Sequence, residues 1–276
     1  MTMRQAGFEI EPFFLAGRHG ALFCLYLAPR GRAPKAAILY LHPFAEEMHK
    51  SRRMAALQAR HLAANGYAVL QVDLTGCGDS ACDFGDARWE TWRDDARRAH
   101  VWLTDRAPGP MVLWGLRSGG ALAVDMAGKL SGVSRLLLWQ PVINGELFLQ
   151  QFLRIKLANE MLSAGQSHSG TAGLIAKLQA GVAIEVGGYL LAPEMSAALQ
   201  TLKLDHLAPP CPVEWFEVST QGEGELSPAS QGVIDAWRAA GVSVRGHALP
   251  GEPFWATQEI MECPELVTAT LQSMEQ

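Results

Sequence analysis

The chain predicts a doubly wound, mostly parallel α/β sheet. Three observations carry that expectation: short, fully apolar runs of strand length, helical apolar stripes between them, and small-residue turns where one gives way to the next. Strands apolar on both faces and alternating with helices belong to a parallel sheet covered on both sides.

The elements follow in order. MTMRQAGFEIEPFF reads as an early strand, and its start lacks the apolar core of a signal peptide. Ala36–Leu41 is a continuous apolar run. A helix is expected over Ser51–Asn65, where Met54, Leu57, His61 and Leu62 recur at helical spacing and Gly66 stands where a terminating glycine belongs. Tyr67–Leu74 is the next strand. Arg88–Asp105 is the next helix, striped by Trp89, Trp92, Ala96, Ala99 and Leu103. A strand over Met111–Leu116 runs straight into a helix over Gly119–Leu130, and Val133–Trp139 is a strand again.

The rhythm then breaks. From Val142 to about His206 the pattern is helical without a strong strand, with a flexible stretch at Gly165–Gly173. It resumes with strands at Val213–Val218 and Val242–Leu249, a helix over Pro228–Ala240 and a closing helix over Phe254–Met274. Residues 1–141 and 207–276 are therefore expected to form the core. Residues 142–206 are an insertion, with Asn144–Leu204 as a helical cap over the carboxyl ends of the strands.

Composition narrows the function. The chain has 276 residues, 49% of them hydrophobic, with a net charge of −5, and this excludes a disordered or disulfide-scaffold protein. Its basic residues are scattered, so nucleic acid is a poor partner. No run is long enough for a membrane span. Cys24, Cys77, Cys82, Cys211 and Cys263 show no metal spacing, and a cytoplasmic protein with reduced thiols, no metal and no cofactor is expected.

Three segments each follow a strand: Leu41-His42-Pro43-Phe44-Ala45, Asp73-Leu74-Thr75-Gly76-Cys77-Gly78-Asp79-Ser80, and Gly115-Leu116-Arg117-Ser118-Gly119-Gly120. In this order they resemble the α/β-hydrolases, and the resemblance covers essentially the whole chain, cap position included. It implies an oxyanion loop, an aspartate-glycine turn and a nucleophile elbow of the form G-x-S-x-G. HPFAEEMHKSRRM, DLTGCGDS, WGLRSGG and GEPFWATQEI together are similar to the second type of hydrolase associated with the bacterial exosortase A system. That likeness implies a hydrolase encoded beside exopolysaccharide and protein-sorting genes.

The elbow is unusual. Gly115 and Gly119 bracket Arg117, so in strict register the nucleophile position holds an arginine. Ser118 falls one place later, where its backbone N–H would be an oxyanion donor. The family order then asks for an acid after Val213–Val218, where Glu223 and Glu225 stand, and a histidine after the last strand. There Glu252 is nearest that place, and His247 lies within the predicted strand. A triad Ser118–Glu223–His247 can be written with two members displaced.

Arg117 at a helix N-terminus is itself an anion site, because the guanidinium adds to unpaired N–H groups and the helix dipole. Glu46, Glu47 and Glu252 are its expected carboxylate partners, and a buried ion-pair network is the plainer alternative. His42 and Phe44 are expected to line the pocket. Lys50, Arg52 and Arg53 read as a solvated helix start, Asp73 as a turn former, and Cys77 as a plain thiol.

Two functions follow. The first is a hydrolase or acyltransferase, of esterase or thioesterase type, acting on a small-molecule or carrier-bound acyl substrate. The second is a catalytically silent protein binding an anionic acyl or carrier-bound ligand through Arg117. A nucleotide-binding protein is disfavoured, since no glycine-rich phosphate loop follows any strand.

Overall fold

The computed structural model describes residues 3–5, 7–164, 170–220 and 224–275. Strands β1 (Met3–Gln5), β2 (Phe8–Ala16) and β3 (Ala21–Pro29) form an antiparallel flank. They lead into β4 (Ala37–Leu41), α1 (Glu46–Ala64), β5 (Ala68–Val72), α2 (Trp89–Arg106), β6 (Met111–Leu116), α3 (Ser118–Ala127) and β7 (Val133–Trp139). The segment after β7 builds α4 (Gly145–Ala164), α5 (Thr171–Gln179), the hairpin β8 (Ile184–Val186) and β9 (Tyr189–Leu191), and α6 (Pro193–Thr201). The chain then returns through β10 (Val213–Ser219), α7 (Pro228–Ala239), β11 (Val244–Pro250) and α8 (Pro264–Met274).

The main sheet has the order β1-β2-β3-β5-β4-β6-β7-β10-β11, and the strands from β5 to β11 run parallel. Alternating side chains of the buried strands feed two cores. Leu39, Leu113, Leu138 and Trp215 pack towards α2, α3 and α7, while Ile38, Trp114, Trp139 and Phe216 pack towards α1 and α8. Both faces are thus covered, as the doubly wound reading requires.

Strand order reverses at β4: β5 lies on one side of it and β6 on the other. Such a switch point opens a crevice at the carboxyl ends of the two strands, where open α/β sheets hold their ligands. Loops from β4 and β6 meet there.

The structure departs from the sequence expectations in places that matter. Helix α1 starts at Glu46 and not Ser51, because Ala45 bends the chain (φ 50°, ψ −129°) and two glutamates in the first turn suit the helix dipole. The closing helix starts only at Pro264, a residue suited to the first helical position. Residues 254–263 are loop instead of helix. The segment between β7 and β10 contains a short hairpin that its weak alternation did not announce. Of the Gly165–Gly173 stretch, residues 165–169 lie outside the described residues.

Candidate functional site

The elbow is built from glycine. A Cβ on Gly115 would come to 2.3 Å from the Gly119 carbonyl oxygen, and one on Gly119 to 2.1 Å from that of Leu41. Both obstacles are backbone, so only glycine lets α3 fold back this closely on β6 and β4. Between them Arg117 holds φ 54° and ψ −118°, a conformation costly for a side-chain-bearing residue. Strand β7 and the segment after it lock it: Arg117 N–H donates to the Trp139 carbonyl at 2.9 Å, and Val142 N–H donates to the Arg117 carbonyl at 3.1 Å.

The loop after β4 brings Glu47 to the same place. Arg117 Nε donates to Glu47 Oε1 at 3.1 Å, and the two side chains are 17% and 14% exposed. Arg117 Nη1 makes one long contact, 3.5 Å, with the Gln140 carbonyl. The guanidinium lies 5.5 Å from the Trp255 ring and 5.8 Å from the Phe148 ring, both within cation–π range. Glu47 Oε2 is buried and has no hydrogen-bond partner among the described residues. Burial pushes the Glu47 carboxyl above the usual range, against the pull of Arg117.

A cavity of about 330 Å³ opens on this pair. Phe44, Phe148, Phe152, Ile155 and Trp255 supply its apolar wall, and Glu46, Lys50 and Gln151 its polar rim. Phe44 is the hub of the aromatic cluster, edge-on to Phe152 at 5.2 Å and to Phe148 at 5.7 Å. A larger cleft, about 590 Å³, lies between α2 and α6, but its arginines are already paired, Arg88 with Glu194 and Arg93 with Asp125. The smaller cavity is the one that opens on the Arg117–Glu47 pair.

Of the written triad, Ser118 and His247 make no hydrogen bond to each other. Ser118 is buried, and its Oγ has no hydrogen-bond partner among the described residues. His247 sits mid-strand in β11, stacked on Phe216 with its Nε2 2.8 Å from Glu214 Oε2. Burial alone would raise the Glu214 carboxyl, but bonds from His247 and Arg245 outweigh it and hold it below the usual range. Glu223 lies outside the described residues, and Glu225 is exposed.

The other candidates divide. His42 is buried, with Nδ1 2.7 Å from the Pro43 carbonyl and Nε2 accepting from Leu74 N–H at 3.0 Å. Those partners assign the proton to Nδ1, and burial lowers its pKa, so His42 is a neutral brace between two loops. Glu252 is exposed, and the carboxylate on Arg117 comes from Glu47. What the loop after β11 delivers to the elbow is Trp255. Cys77 is buried and its thiol pushed well up by burial, which removes it as a nucleophile. Among the described residues no cluster suits a metal ion, and no helix is long and apolar enough to cross a membrane.

Sequence reasoning missed Trp255, Phe148 and Phe152. The two phenylalanines stand four apart on α4, a spacing that was readable as one helical face. Trp255 was hidden inside the expected closing helix.

Comparison with known proteins agrees with this architecture. Est1E from Butyrivibrio proteoclasticus, solved with ferulic acid bound, is 15% identical with a TM-score of 0.66, covering 95% of this chain and 97% of its own. A carboxyl esterase from Bacillus coagulans, solved with glycerol, is 14% identical with a TM-score of 0.62, covering 98% and 99%. A proline iminopeptidase from Mycobacterium smegmatis is 15% identical with a TM-score of 0.58, covering 96% and 97%. At such identities these neighbours share the fold, which does not itself choose an activity. No curated protein matches the sequence. The family described as serine aminopeptidase, S33 (Hydrolase_4) matches residues 32–173, just over half of the chain. With its elbow, switch-point crevice and mostly parallel sheet, the chain belongs to this family of α/β-hydrolases.

Proposed function

We propose that this hydrolase-family protein binds an acyl ligand non-covalently, with Arg117 as the anchor, and that no acyl-enzyme forms at its elbow. The observation that carries the reading is Arg117 itself. It occupies the place from which the fold presents a nucleophile, and an arginine stays protonated and has no lone pair to give. A serine mechanism requires a base at about 3 Å from the hydroxyl. Among the described residues Ser118 Oγ has no such partner, and the His247 nitrogen points to Glu214.

What the elbow does offer is recognition. Among the described residues one guanidinium N–H is spent at short range, on Glu47, and Arg117 borders a cavity walled by aromatic rings. Cavities of this size suit small organic ligands. The ligand is an acyl compound, free or carried, and ferulic acid, the ligand of the Est1E structure, is a convenient first probe. The reading keeps the protein with the exosortase A-associated type of hydrolase and in the cytoplasm, where its five free thiols stay reduced.

A serine-directed fluorophosphonate probe tests it. The protein is expected to remain unlabelled and to turn over simple esters no faster than its Ser118→Ala variant. Labelling at Ser118, with turnover lost in Ser118→Ala, would replace this reading by the triad Ser118–Glu223–His247.

A further inference from the structure

We propose that Arg117 and Glu47 act as one recognition element, selecting a ligand whose head group is neutral and planar, with a carbonyl acceptor beside an N–H or O–H donor. A primary amide has that form, as does a carboxylic acid taken up together with its proton. The inference rests on the non-covalent reading above and names its ligand class.

The first argument is charge. Among the described residues the cavity holds Arg117 from the elbow, Glu46, Glu47 and Lys50 from α1, uncharged Gln151 from α4, and Trp255 and Ala256 from the loop after β11. The wall is therefore neutral with its ion pair formed. A ligand carboxylate on the guanidinium would place two carboxylates on one cation in a largely buried site. Like charges at that separation do not both stay ionised, so such a ligand brings a proton with it.

The second argument is the pattern of donors and acceptors. The Nη edge of Arg117 offers N–H groups to a carbonyl oxygen, and Glu47 Oε2 is a buried acceptor with no hydrogen-bond partner among the described residues. A head group carrying acceptor and donor together satisfies both, and leaving either unmet is costly. Burial already holds the Glu47 carboxyl above the usual range, which eases its sharing of a proton. The third argument is the tail. Trp255 and Phe148 flank the guanidinium, and Phe44 and Phe152 extend the ring wall, so the group beyond the head is aryl or similarly apolar.

Calorimetric titration of the full chain with matched one-ring probes tests the assignment. Phenylacetamide should bind with little pH dependence. Its N,N-dimethyl derivative and methyl phenylacetate, which lack the donor, should bind at least about tenfold more weakly. Phenylacetate should tighten by up to about tenfold per unit as pH falls, with proton uptake read from buffers of different ionisation enthalpy. In Glu47→Met the preference for the amide should vanish and phenylacetate should bind without proton uptake. Glu47→Gln, which keeps shape but not charge, gives the same test of proton uptake if Glu47→Met does not fold. A dimethylamide that binds as well as the primary amide overturns the head-group assignment, as does phenylacetate binding that ignores pH. If every probe binds alike, the assignment alone falls. If none binds, the non-covalent reading falls with it.

Discussion

Replacing Arg117 by methionine is the most informative single perturbation of this fold. The side chain keeps much of its volume, and the backbone strain at φ 54° is unchanged, so the difference isolates the guanidinium. Removing one partner of a fully buried ion pair costs about 3–5 kcal/mol. Here the partners retain 17% and 14% exposure, and solvent screening brings the expected loss to about 2–3 kcal/mol. Two cation–π contacts vanish as well, which places the total near 3 kcal/mol. For a chain of this length that is a fall in Tm of about 5 °C at neutral pH. The loss should depend on pH with a definite sign. The Glu47 carboxyl is already raised by burial, and without Arg117 it rises further. Between its unfolded and folded pKa the native state then binds more protons than the unfolded one, so stability falls as pH rises through that window. Thermal melts from about pH 5 to pH 8 should show the deficit shrinking in acid. The double variant Arg117→Met/Glu47→Met should recover most of it, since an apolar pair can replace a buried ion pair without loss. An Arg117→Met protein as stable as the parent at neutral pH, or a deficit equal at every pH, would refute the reasoning.

Other predictions follow from single observations. Gly119→Ala drives a Cβ into the Leu41 and His42 carbonyl oxygens, and should cost at least about 3 kcal/mol or abolish soluble expression. Ala45→Gly relieves a positive-φ alanine and should raise stability by about 1 kcal/mol in a urea titration, the relief exceeding the added chain entropy. Asp125 receives Trp89 Nε1 at 2.9 Å and Arg93 Nε at 2.6 Å. With Lys129 these bonds outweigh burial and hold its pKa below the usual range. Its contribution should be full above the ordinary carboxylate range and fade as pH falls, so an acid titration of Asp125→Asn should show less acid lability than the parent.

The sheet was legible because its strands are apolar on both faces and its helices are striped, so burial dictates the pattern directly. The elbow was legible for a different reason. Gly115 and Gly119 stand where any side chain would strike backbone, and that spacing marks a sharp turn at Arg117 without coordinates. The partner was less so: Glu46, Glu47 and Glu252 all follow strand ends, and only the bend at Ala45 decides that Glu47 turns inward. The aromatic wall was least legible. Trp255 comes from an irregular loop, and Phe148 and Phe152 come from α4, whose docking on the sheet depends on packing that periodicity does not encode. His247 shows the converse. Its position in the chain suggested catalysis, but a glutamate on the neighbouring strand, two residues before its register partner Phe216, claims it.

Two adjacent residues separate the readings of this elbow, so the decisive measurement is one calorimetric titration of phenylacetamide into the parent, Arg117→Met and Ser118→Ala proteins. Binding should weaken at least about tenfold in Arg117→Met and stay at the parent value in Ser118→Ala. Undiminished binding in Arg117→Met, or binding lost in Ser118→Ala, would contradict the assignment of Arg117 as the anchor.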